Sequence, residues 1–126
     1  MDIEELILQL KDEKWPSRKL DTDIAAFFGF KRASSAQYPK FSWHHPNGTT
    51  NPLPKFTYSM QDAYELLLLA APGCVGACSW EEGQATARVE NGPFCMAATP
   101  AMAICIAALV ELRRNQQAGS MATATS

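Results

Sequence analysis

The chain has 126 residues, 47% of them hydrophobic and 19% charged, with a formal net charge of −2. That length suits one domain with a real core, the composition excludes wholesale disorder, and the charge leaves no basic footprint for general nucleic-acid binding. No apolar run reaches the roughly 18–20 residues that span a bilayer. The acidic, amphipathic start MDIEELILQL is unlike a signal peptide, so the reading is of a cytosolic protein.

The first helix is predicted from about Asp2 to Glu13, with Asp2 as its cap and Ile3, Leu6, Ile7 and Leu10 as one apolar stripe. Trp15-Pro16 breaks it. Ser17 then caps a second helix with Leu20, Ile24, Phe27 and Phe28 on one face and Gly29 as the stop. Between Phe30 and Pro54 regular patterning fades under Pro39, Pro46, Asn47-Gly48, Asn51-Pro52 and Pro54. This segment reads as a long loop with a strand fragment around Phe41 to Trp43, and loops of that length are often functional. Lys55 to Tyr58 reads as a short extended piece. Ser59, with Asp62 three residues on, opens a third helix that runs through Ala70 and stops at Pro72-Gly73.

Three strands follow, Cys74 to Trp80, Gln84 to Val89 and Phe94 to Ala97. Their turns fall at Glu81-Glu82-Gly83 and at Asn91-Gly92, where both residues tolerate positive φ. Ala85, Ala87 and Val89 alternate with Gln84, Thr86 and Arg88, which predicts one buried and one polar face. Thr99 and Pro100 open the last helix as N-cap and first residue; Met102, Cys105, Ile106, Leu109 and Leu112 recur at helical spacing, and Arg113 and Arg114 suit its C-terminal end. The tail QQAGSMATATS has no periodicity and reads as disordered. The fold predicted is α+β: a small antiparallel sheet of three to four strands packed with N- and C-terminal helices as an α/β/α sandwich. It forms one domain over 1–115, with 30–54 as an internal loop and 116–126 as the tail.

Three blocks, SRKLDTDIAAFFGF, PKFTYSMQDAYELL and AATPAMAICIAALVELR, resemble in that order the blocks of the phage ABA sandwich domain proteins, small products of phages and prophages. The likeness covers roughly Ser17 to Arg113. It rests on Arg18, Leu20, Asp21 and Ile24, on Thr57, Ser59, Asp62 and Ala63, and on Thr99, Pro100, Cys105 and Leu109. The resemblance implies a small antiparallel sheet packed with helices, encoded by a phage. It carries no reaction. FSWHHPNGTTNPLP and the first helix depart from the family pattern.

Cys74, Cys78, Cys95 and Cys105 lack the paired short spacings of a zinc site and read as reduced, mostly buried thiols. His44-His45 reads as a solvated loop pair, His44 being retained as a ligand contact. Catalysis needs a positioned partner that the sequence does not offer. Asp21, Asp23, Glu81 and Glu82 read as solvated surface. No catalytic residue, metal site or cofactor is predicted.

The binding candidates are aromatic rings able to stack on a base, Trp43, Tyr58 and Trp80, and groups able to hold phosphate: Arg18, Arg88 and the helix start at Thr99. The expectation is a non-enzymatic, phage-encoded binding protein of the host bacterial cytoplasm that sequesters a nucleotide-derived immune signal. The alternative is an adaptor that inhibits or redirects a host protein. The expected partners are thus a small nucleotide-like ligand or a host protein, with no general nucleic-acid binding and no membrane. A homodimer or higher even-numbered assembly is expected as well, with the Phe41 to Pro54 loop of one chain covering ligand held by another.

Overall fold

The computed structural model describes the backbone of residues 2–125 and the side chains of residues 2–118. Helix α1 spans Ile3–Asp12, and the Asp2 carboxylate accepts from Glu5 N at 2.9 Å. Helix α2 spans Arg18–Phe27, and the Ser17 hydroxyl accepts from Leu20 N. It ends at Gly29, whose φ of 87° a side chain would resist. Helix α3 spans Met60–Ala70 with Ser59 as its cap. Asp62 does not close a reciprocal box on Ser59; its carboxylate accepts from Lys55 N at 2.7 Å, which ties the preceding turn to the helix. That turn, Phe56 to Tyr58, replaces the extended piece expected at Lys55 to Tyr58: Tyr58 N and Ser59 N both donate to Lys55 O.

The segment expected to be a loop holds a small sheet. Strands β1 (Lys31–Arg32), β2 (Ser42–His44) and β3 (Thr50–Pro52) pair antiparallel in that order. The β2–β3 turn closes through His45 N to Thr49 O, with Gly48 at φ 91° and Asn47 Oδ1 accepting from Thr49 N. Strands this short, interrupted by proline, carry too few alternating residues to show a period of two.

The second sheet is the predicted meander, β4 (Gly76–Glu81), β5 (Gln84–Val89) and β6 (Cys95–Ala97), antiparallel in that order. Ala85, Ala87 and Val89 are buried as expected. The last turn differs from expectation, because the positive φ falls on Glu90 (51°) and not on Asn91 or Gly92. Gly92 is needed for room instead. A Cβ there would lie 2.9 Å from Val89 O and 2.8 Å from the Arg114 guanidinium, on the turn of helix that carries the Glu111–Arg114 pair. Gly92→Ala is expected to cost about 1–3 kcal/mol by overpacking; the midpoint of urea unfolding checks this, and an unchanged midpoint refutes it.

Helix α4 spans Pro100–Thr125. Residues Ala101 to Glu111 are all buried, as befits a helix that is apolar all round, and its alanines at 101, 103, 107 and 108 admit neighbours closely. The sheet β4-β5-β6 lies on one side of α4, and α3 and α1 pack against it as well. Among the described residues no helix covers the outer face of the sheet, where Ala77, Ser79, Phe94 and Met96 are exposed. The architecture is α+β, with helices packed on small antiparallel sheets. Helical backbone continues to Thr125 through the segment expected to be a disordered tail. Among the described residues no helix is long and apolar enough to cross a membrane.

Candidate functional site

The seven residues singled out from sequence do not converge. Trp43 is 8% exposed, packed in the core with the Arg32 guanidinium 5.5 Å from its ring centre, so no ligand base reaches its face. Arg18 is held by the Asp21 carboxylate at 2.7 Å and by the carbonyls of Leu53 and Pro54. His44 packs edge-on against Tyr38 and bonds Thr50 Oγ1. Thr99 caps α4 by accepting from Met102 N.

Trp80 is 67% exposed on β4, but it shares the α4 side of the sheet with Ala85. Arg88 stands opposite Ala77 on the other side, its Nε bonded to Gly92 O and its guanidinium 4.9 Å from the Phe94 ring centre. Tyr58 is exposed on the turn before α3. An aromatic clamp with adjacent phosphate anchors is therefore not assembled from this set.

A cleft of about 270 Å³ lies instead between the β2–β3 turn and α3. Phe30, Phe56, Pro46, Pro54 and Leu69 supply its apolar walls, and His45, Asn47, Asp62 and Glu65 its polar groups. Three of the α3 residues, Asp62, Glu65 and Leu69, share one helix face because they are spaced by three and four. Phe30 anchors the other wall, its ring 4.8 Å from His45 and 6.0 Å, edge to face, from Phe56.

The hydrogen bonds decide what the cleft offers. His45 Nε2 lies 3.3 and 3.2 Å from the carbonyls of Asn51 and Pro52, which fixes Nε2 as a donor turned towards β3. Asp62 uses Oδ2 on Lys55 N and keeps Oδ1. Asn47 Oδ1 is occupied by Thr49 N and Oγ1, which leaves its amide N–H groups as donors. Two carboxylates make the cleft acidic. It favours a flat apolar body edged with N–H donors and disfavours phosphate.

Among the polar residues of the cleft, sequence alone marks His45 as half of a solvated pair, Asn47 as part of a turn and Asp62 as the residue three beyond the Ser59 cap. Both histidines are in fact half-buried and pin the β2–β3 hairpin. The signal that pointed here was the proline-punctuated segment 30–54, whose turn forms one wall.

Asp21 corrects its surface reading. It is fully buried, accepts from Thr57 N and Thr57 Oγ1 at 2.8 Å each, and joins α2 to the turn before α3. Burial pushes its carboxyl above the usual 3.8, although the Thr57 and Arg18 hydrogen bonds pull the other way.

The four thiols are unpaired in the structure: Cys95 and Cys105 buried, Cys74 half-buried, Cys78 exposed. Burial pushes the Cys105 thiol far up, and it donates to Phe56 O at 3.2 Å. Among the described residues no three His, Cys, Asp or Glu side chains gather closely enough to hold a metal ion.

Fold and cleft together define a small α+β protein with an acceptor-lined cleft beside a helix. No family model, curated protein or solved structure matches the chain.

Proposed function

We propose that this protein is a non-enzymatic binding protein whose cleft takes the flat, donor-bearing head of a small molecule, a nucleobase foremost. The observation that carries this is the pairing of aromatic and proline walls with the carboxylates of Asp62 and Glu65 in one cleft. Exocyclic amino groups and ring N–H groups of bases donate to carboxylates, while their faces pack on apolar side chains. At about 270 Å³ the cleft falls just below the range that encloses a drug-sized ligand, so a base enters and its phosphates stay in solvent.

This base-first mode differs from the phosphate-led one expected from Arg18, Arg88 and Thr99. The setting, a phage product that sequesters a nucleotide-derived immune signal in the host bacterial cytoplasm, rests on the likeness of the three sequence blocks to phage ABA sandwich proteins.

Calorimetric titration with nucleosides and their monophosphates tests the reading. At least one nucleoside is expected to bind, its monophosphate no more tightly. Glu65→Gln, at an exposed position, is expected to weaken binding roughly tenfold or more, as for loss of a charged hydrogen bond. Absence of heat with every nucleoside, or tighter binding of each monophosphate, refutes it. A second reading, the adaptor, draws on the outer face of the sheet, where Phe94 and Met96 stand exposed beside Arg88. A stoichiometric host protein lost on Phe94→Ser and kept on Glu65→Gln would favour it.

A further inference from the structure

The hydrogen-bonding capacity of the cleft can be counted, because bonds within the protein already fix two of its polar groups. Asn47 Oδ1 accepts from Thr49 Oγ1 and from Thr49 N, a group that can only donate. That bond tells the amide oxygen from the nitrogen and leaves the Asn47 N–H groups as the donors. Asp62 uses Oδ2 on Lys55 N at 2.7 Å, so its carboxylate is oriented with Oδ1 open. Glu65, one turn further along the same face of α3, is exposed, and among the described residues both of its oxygens are free. The β2–β3 turn thus contributes an amide donor, and α3 contributes three open carboxylate oxygens.

Nucleobases differ in what their Watson–Crick edges present. Guanine presents one carbonyl, one ring N–H and one amino group, so its donors outnumber its acceptors. Adenine presents one donor and one acceptor; cytosine and uracil each present one donor and two acceptors. A carboxylate set against a ring nitrogen or a carbonyl is repelled and loses the hydrogen bonds it made to water. Two adjacent N–H groups instead satisfy both of its oxygens at once.

We propose that the cleft selects guanine among the nucleobases. The Glu65 carboxylate accepts from N1–H and from one hydrogen of the 2-amino group, Asp62 Oδ1 accepts from the other, and the Asn47 amide donates to O6. The inference rests on the nucleobase reading of the cleft and says which base fills it. Three open oxygens meet three N–H bonds, and the amide donor meets the one carbonyl, so every group on the guanine edge has a partner. The apolar walls at Phe30, Phe56 and Leu69 take the faces of the ring. Any other base leaves a carboxylate oxygen of the cleft unmatched, which discriminates more sharply than apolar contact does.

Calorimetric titration with guanosine, inosine, N1-methylguanosine, adenosine and cytidine tests the choice. Inosine is guanosine without the 2-amino group, and N1-methylguanosine lacks N1–H. Guanosine is expected to bind most tightly and each of these two analogues about tenfold more weakly or worse, as for loss of a hydrogen bond to a charged group. Glu65→Gln is expected to shrink the preference for guanosine over inosine, because its amide keeps one acceptor and turns a donor toward the second N–H. Asn47→Asp keeps an acceptor for Thr49 N but sets a carboxylate against O6; it is expected to weaken guanosine binding while its melting stays that of the unaltered protein. Adenosine, cytidine or inosine binding as tightly as guanosine overturns the choice of guanine and leaves the nucleobase reading standing. So does a preference unchanged in folded Glu65→Gln, or guanosine binding undiminished in Asn47→Asp. Absence of heat with every nucleoside overturns both.

Discussion

Phe56→Ala is expected to destabilise the protein by about 3–5 kcal/mol, the range for truncating a buried phenylalanine. Three roles meet at this residue. Its ring is buried in the core and meets Phe30 edge to face at 6.0 Å. Its carbonyl accepts from the buried Cys105 thiol, which couples the turn before α3 to the middle of α4. It also walls the cleft.

Truncation leaves a void that backbone on both sides resists filling, since Thr57 is bonded to Asp21 and Ser17 on one flank and Lys55 N to Asp62 on the other. Phe56→Leu is expected to lose much less, because most of the apolar volume stays. Urea unfolding at fixed pH reads both losses, and an alanine loss below about 1 kcal/mol would show that the site collapses freely.

Much of this architecture is legible in the residues. Asp2, Ser17, Ser59 and Thr99 announce four helix starts, and each accepts the backbone hydrogen bond expected of it. The alternation of Ala85, Ala87 and Val89 identifies the covered face of β5. What escapes is non-local. The sheet in 31–52 has strands of two and three residues, too short for a pattern, and its pairing joins Arg32 to Trp43 across a segment of mixed loop character.

Asp21 looks like a surface acid because its partner Thr57 is 36 residues away. Side-chain type alone singles out the binding candidates, yet a ring or guanidinium serves a ligand only if the fold leaves it free. Trp43 and Arg18 were spent on the core and on Asp21, and Trp80 and Arg88 were placed on opposite sides of one sheet. The cleft residues are ordinary in sequence and become a site only because Asp62, Glu65 and Leu69 share a helix face under the His45 turn.

Asp21→Ala is expected to cost about 2–4 kcal/mol, chiefly because the buried Thr57 N–H loses its acceptor. The ion pair itself contributes less, since Arg18 is half-exposed and its charge is screened by water. Asp21→Asn keeps an acceptor for Thr57 N and is expected to lose less than alanine. The two substitutions differ further in their response to pH. Burial holds the folded carboxyl above 3.8, so the folded state binds this proton more tightly than the unfolded chain does. The stability that follows is fully present below pH 3.8 and declines as pH rises from there through the raised folded value.

Asparagine has no such proton. The stability of the unaltered protein relative to Asp21→Asn should therefore be greatest in acid and fall with rising pH across that window. Urea midpoints of both proteins, measured over the same pH series, read the difference directly. A difference that grows with pH would mean that the hydrogen bonds from Thr57 and Arg18 outweigh the burial of the carboxylate. The carboxyl would then be held below its usual range, and Asp21 would stabilise the junction of α2 and α3 as a charge.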